Sequence, residues 1–257
     1  AAFAAARAGR PGWAGALAAL ALVKPQLTWL PAAVVLAIAW RGGGGRRALA
    51  AFGGTLAGLL ALSLTLRPRW LGDWLRALGE DARQGGTGAA ALRANMGTLP
   101  AVAAHLPGPL GGVLLVLAVA AGALILAWQV RRSGFWREPP ASGSDLLVLA
   151  EAICLVTALS PWTWIYDGVF WLVPVVVALR ISPAWRGWAA LAVFWVLPWT
   201  IRVAHVATAR GGTPLNHLED ALIAPLLLAL LCLPPRSQRA AIPAAASRPA
   251  TLADRRR

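Results

Sequence analysis

Residues 11–40 read PGWAGALAALALVKPQLTWLPAAVVLAIAW, an apolar stretch broken in its middle by Lys24-Pro25-Gln26. As one straight helix these 30 residues would run about 45 Å, well beyond the roughly 30 Å hydrocarbon core of a bilayer. It would also put Arg10 and the Arg41/Arg46/Arg47 cluster on opposite sides. A hairpin with its tip at Lys24-Pro25-Gln26 keeps both arginine groups on one side, as the bias of basic residues toward one membrane face requires, and Pro25 supplies the break. Each leg is then only about 20 Å long, so the tip stops short of the far surface unless the protein forms a water-accessible cavity there. A lysine at that depth needs an anionic partner.

The rest of the chain has the same character. It is 58% hydrophobic and 13% charged, with a net charge of +14. Several apolar runs approach membrane length, so the expected class is all-α, a polytopic transmembrane helical bundle in the lipid bilayer. The basic residues lie in short segments between apolar runs, which is the pattern of topology determination and argues against a nucleic-acid partner. Lys24 is the single lysine among 24 basic residues. Cys154 and Cys232 both fall inside apolar runs, suited to packing and not to a disulfide or metal framework. Residues 1–9 read as a small basic connecting segment of a chain that starts partway through a longer protein.

Beyond the hairpin, residues 48–66 form a span. Trp70, Leu71, Trp74, Leu75 and Leu78 then recur at helical spacing opposite Arg69, Asp73, Arg76 and Glu80, the pattern of an amphipathic helix lying in the interface. Residues 95–100 make a small polar turn, and 108–130 span again. The runs 146–159 and 169–179 flank Ser160-Pro161-Trp162-Thr163-Trp164-Ile165-Tyr166-Asp167, a corner of hydroxyls, indoles and a carboxylate. Pro161 disfavours a helical Ser160, so the first run ends there, and Asp167 is placed to cap the second. Runs 187–201 and 221–233 follow. Residues 1–235 are read as one transmembrane domain, and 236–257 as a disordered basic cytoplasmic tail.

With the hairpin in place, 16 of the 24 basic residues fall on one side, and eight fall on the other with six of the ten acidic ones. The crowded side is expected to be cytoplasmic. The Lys24 tip, segment 67–107, the Ser160–Asp167 corner and segment 202–220 then meet at the extracytoplasmic face of a plasma-membrane protein.

No glycine-rich phosphate loop after a strand, no His/Cys metal spacing and no nucleophile elbow is present in the sequence. The set suits a lipid-linked phosphate held by Lys24 or an arginine, a sugar stacked on an indole, and hydroxyls oriented by Asn, Asp or Tyr. Each residue also has a structural explanation. Lys24 can snorkel at a helix end, Asp167 can be a plain cap, and Trp162 and Trp164 can belong to an interfacial aromatic belt. Asn95 can be a turn residue, and the histidines at 105, 205 and 217 solvated loop residues. Glu151, inside an apolar run, is expected to face the bundle interior as a hydrogen-bonded carboxyl or, in a transporter, as a coupling group.

The order of short blocks adds a resemblance. A basic loop and an apolar run closing in Lys-Pro-Gln come first, then a second run and an arginine cluster. A span follows, and after it Trp-Leu-Gly-Asp-Trp-Leu-Arg-Ala-Leu at 70–78, the 95–100 turn and the Ser-Pro-Trp-Thr-Trp-Ile-Tyr-Asp corner. In this it resembles the family-87 glycosyltransferases, polyprenyl-phosphate-mannose-dependent alpha-1,2-mannosyltransferases of the GT-C architecture. The likeness covers most of residues 10–233. It implies inverting transfer of a hexose, mannose in that family, from a polyprenyl-phosphate donor to an extracytoplasmic glycan or glycolipid acceptor, with no cofactor and no metal. Lys24, Gln26, Asn95, Trp164, Tyr166 and Asp167 are then the candidate substrate-binding residues. The family's catalytic aspartate lies upstream of everything matched, so the general base is expected outside this chain. Some members carry histidines where this chain has Tyr166 and Asp167. The competing class is a multi-pass transporter coupled through Glu151.

Overall fold

The computed structural model describes residues 1–83, 98–103, 106–107, 109–138, 143–160, 169–181, 184–200, 203 and 218–233. Among these the chain is helical throughout, with no strand. The helices are α1 (Ala2–Arg7), α2 (Pro11–Ala21), α3 (Pro25–Ala39), α4 (Gly45–Leu66), α5 (Trp70–Arg83), α6 (Leu99–Ala103), α7 (Leu110–Arg132), α8 (Gly143–Leu159), α9 (Leu172–Ile181), α10 (Ala184–Leu191) and α11 (Leu218–Cys232). Residues 1–9, expected to be a connecting segment, instead hold α1. Its Ala-Phe-Ala-Ala-Ala-Arg sequence has high helix propensity, and Ala6 and Phe3 pack into the core formed by α2, α3 and α8.

The stretch 11–40 folds back on itself. Lys24, with φ −118° and ψ 75°, lies outside the helical region, and Pro25 occupies the first turn of α3, where its missing N–H costs nothing. The Thr28 hydroxyl sits 2.8 Å from the carbonyl oxygens of both Ala21 and Lys24, fastening the end of α2 to the start of α3. At the other end of the hairpin the chain turns again. Gly43, at φ +77°, kinks the helical run and sends α4 back alongside α2. Pro11 touches Gly44, and Gly15 touches Ala48 so closely that a Cβ on Gly15 would lie 2.0 Å from the Ala48 carbonyl oxygen. Both pairs are offset by the same number of residues, so α2 and α4 run parallel, with α3 descending between the two turns.

The central element is α8. Thirteen of its 17 residues are buried, as expected for a helix apolar on every side, and α3, α7, α9 and α11 all pack on it. One core joins α8 to α2 and α3; a second joins it to α9, α10 and α11. α7 is antiparallel to α8 and approaches it at Gly122, where a Cβ would lie 2.9 Å from Leu155 and 3.6 Å from Leu159.

Two ends of this bundle are chemically unlike. At one, Arg41 pairs with buried Asp145 at 2.5 Å, donates to the Glu138 carbonyl and lies over the Phe135 ring. Arg132 and Arg186 reach the last carbonyls of α11 and the residue after it, Cys232 and Leu233. The opposite end carries the Lys24 turn and Ser160. Among the described residues, two helical runs are long and apolar enough to cross a membrane: the kinked run Pro25–Leu66, mean hydropathy 1.8, and Leu110–Arg132, mean hydropathy 2.7. Their apolar windows are only 0% and 11% buried within the molecule.

Candidate functional site

The Lys24 turn and the Ser160 corner belong to two helices, α3 and α8, that pack antiparallel. Arg41 beyond the end of α3 meets Asp145 at the start of α8; fifteen residues away along each helix stand Gln26 and Ser160. That places both about 22 Å from the Arg41–Asp145 pair, at one level. Gln26 and Ser160 line the same cleft, of about 680 Å³. The rest of its walls are apolar, among them Leu30 of α3, Leu159 of α8, and Val119, Leu126 and Val130 of α7. The cleft therefore has a polar head and a hydrocarbon body.

Its head is recessed. Gly122 of α7 meets Leu155 and Leu159, so Val119 stands level with Ser160, and the nine residues of α7 before Val119 continue about 13 Å further. α4, at 22 residues, extends about 33 Å from the same end where α3 covers about 22 Å. The short hairpin tip thus stops partway along its longer neighbours.

Lys24 is half-buried and Ser160 is buried. The exit from the Ser160 corner is fixed by Trp171, whose indole N–H donates to the Thr157 hydroxyl at 3.0 Å while that hydroxyl is 2.8 Å from the Ile153 carbonyl. Thr28 and Thr157 are the positioning residues that sequence reasoning missed. Their only signal was a lone threonine within an apolar run, where a hydroxyl must find a carbonyl or a ring N–H. Trp29, 56% exposed beside Gln26, was likewise not singled out. Of the six substrate-binding candidates, Lys24 and Gln26 lie in this head region. Asn95, Trp164, Tyr166 and Asp167 fall outside the described residues. Thr98, the first described residue after Asn95, is buried with no hydrogen-bond partner for its hydroxyl among the described residues.

A second polar group lies deeper in the bundle. Glu151 of α8 is fully buried; the Cys232 thiol of α11 is 3.9 Å from Oε1, and Oε2 has no hydrogen-bond partner among the described residues. The side chain faces the interior, bonded to a neighbouring helix, as its place in the apolar run demands.

No protein-family model, curated protein or solved structure matches this chain.

Proposed function

We propose that this chain is part of a polytopic membrane glycosyltransferase of GT-C type that moves a hexose, mannose by resemblance, from a polyprenyl phosphate to an extracytoplasmic glycan or glycolipid. The arginine end faces the cytoplasm and the hairpin-tip end the opposite side. Three features support that placement. Basic residues crowd one end, α7 presents Val116, Leu117 and Leu124 outward at 62–71% exposure, and exposed Trp40, Trp128, Trp136 and Trp185 ring the arginine end. A soluble monomer rarely leaves so much contiguous apolar surface in water.

The observation that carries the reading is the shared cleft, lined by Gln26 and Ser160 and otherwise by aliphatic and indole surface, with Lys24 two residues before Gln26 at the hairpin turn. Such a cavity matches a ligand with one charged phosphate and a long hydrocarbon tail. Each isoprenoid methylene or methyl withdrawn from water contributes about 0.8 kcal/mol, but little when the chain moves in from lipid, so selectivity falls to the head. The Lys24 ammonium is the natural phosphate ligand there. In the transfer a base takes the acceptor hydroxyl proton, the oxygen attacks the anomeric carbon from the face opposite the phosphate, and the polyprenyl phosphate leaves with the bonding pair. Lys24 stabilises the charge that grows on the leaving phosphate.

Membranes containing the protein, given radiolabelled polyprenyl-phosphate mannose, are expected to label a glycan or glycolipid, and Lys24→Ala to lower that labelling at least tenfold, equivalent to about 1.4 kcal/mol of lost phosphate stabilisation. Undiminished transfer by the variant would remove Lys24 from the site. The second reading, a transporter, is favoured by one observation, the unpartnered Glu151 oxygen. It requires Glu151→Gln to abolish ion-coupled uptake, whereas the transferase reading expects transfer to survive that substitution in protein that still folds.

A further inference from the structure

At the arginine end a second cavity, of about 740 Å³, lies between the α1–α2 turn and the turn joining α3 to α4. Ala6, Gly9 and Pro11 form one wall; Trp40, Arg46 and Arg47 form the other, with the backbone of 42–45 between them. Its charges are unbalanced. Three arginines at this end are paired: Arg41 with Asp145, Arg132 with the Cys232 carbonyl and Arg186 with the Leu233 carbonyl. Arg46 and Arg47 are exposed, and neither forms an ion pair or hydrogen bond with another described residue. They also stand in the first turn of α4, the end of a helix where positive charge is least favoured, and α4 has no acidic residue in that turn. The bias of basic residues toward one face explains arginines on this side, but not a cavity lined by two that nothing neutralises.

We infer that this cavity is a binding site for the phosphodiester headgroup of an anionic bilayer lipid, held by the Arg46 and Arg47 guanidiniums, with its acyl chains running down the outside of α2 and α4. A lipid fits better than a free anion because an indole lines the cavity: Trp40 is 54% exposed, as an aromatic ring at headgroup depth would be. The outer faces below are also apolar, with Leu49 and Leu60 of α4 exposed. Planar guanidiniums match phosphate oxygens bidentately, and a pair of them suits a single diester. Gly44 keeps the two walls together, since a Cβ there would lie 2.5 Å from Pro11. The inference uses the proposed membrane orientation of the arginine end and is independent of glycosyl transfer.

The test measures retention of dioleoyl phosphatidylglycerol by the full chain in neutral-detergent micelles, using native mass spectrometry and the thermal midpoint. Phosphatidylcholine and inorganic phosphate serve as comparison arms. Phosphatidylglycerol is expected to bind and raise the midpoint where the other two do not, and Arg46→Gln with Arg47→Gln to weaken binding about thirtyfold, at roughly 1 kcal/mol for each arginine at a lipid surface. Arg131→Gln with Arg137→Gln, the same loss of charge on the same rim, is expected to leave retention within twofold. Arg47→Glu provides a second variant, expected to exclude the lipid while melting as cooperatively as the parent. Equal losses in the two glutamine pairs would overturn the site in favour of diffuse attraction. Equal responses to phosphatidylcholine or to inorganic phosphate would overturn the assignment to an anionic lipid.

Discussion

Arg41 and Asp145 are the residues whose pairing sets where the bundle's levels fall. The pair is dry, with side chains 5% and 0% exposed, so removing one partner strands a charge in a medium that cannot solvate it. Asp145→Ala is expected to destabilise the protein by about 3–5 kcal/mol. Arg41→Met with Asp145→Leu should recover most of that loss; a melt of both variants in the same micelles decides. Thr28 acts more locally. Thr28→Val keeps the shape and deletes the hydroxyl at the hairpin turn, a change of about 1 kcal/mol that should also loosen Gln26 at the head of the cleft. Urea midpoints and donor affinity measured on one preparation would separate the two effects. None of this pairing could be read from the chain: Asp145 and Arg41 are 104 residues apart, and an aspartate opening an apolar helix looks like a plain cap. The hairpin turn was legible because a lysine and a proline side by side interrupt a stretch of 30 residues that is otherwise apolar.

At the level of elements, what was legible followed from strong local signals. Pro25 ends one leg, the repeat Trp70, Leu71, Trp74, Leu75 marks α5, and Pro161 stops α8 at Leu159. On α5 those side chains remain outside: Leu71, Trp74 and Leu75 are 39–56% exposed, as an interfacial helix requires. α1 was missed because six residues carry too few periods to read, and its helix depends on packing that the sequence does not announce. The contact between α2 and α4 was also hidden, since Gly15 signals closeness only once its neighbour is known. Gly15→Val should force the helices apart at Ala48 and cost about 1–3 kcal/mol, with α2 the first segment to lose hydrogen-exchange protection. Normal protection in that variant would mean that α2 is held by its other neighbours.

For the molecule as a whole, the distribution of charge and the lengths of the helices make one arrangement. Long α4 and α7 extend past the short hairpin and α8, so a polar head rests inside a wall of apolar helices, with the arginines gathered at the other end. Composition alone reached the helical class and the asymmetry of charge. It could not supply the cleft, which is lined jointly by α3, α7 and α8. The central claim is that these two residues share one outward-facing chamber that takes a polyprenyl phosphate. The most direct measurement is labelling of Gln26→Cys and Ser160→Cys, in a Cys154→Ala/Cys232→Ala background, by a membrane-impermeant maleimide added to intact cells. Both positions should react from the outside and be protected by prior addition of polyprenyl-phosphate mannose. Reaction only in inverted vesicles, or labelling that the donor leaves unchanged at both positions, would contradict the account.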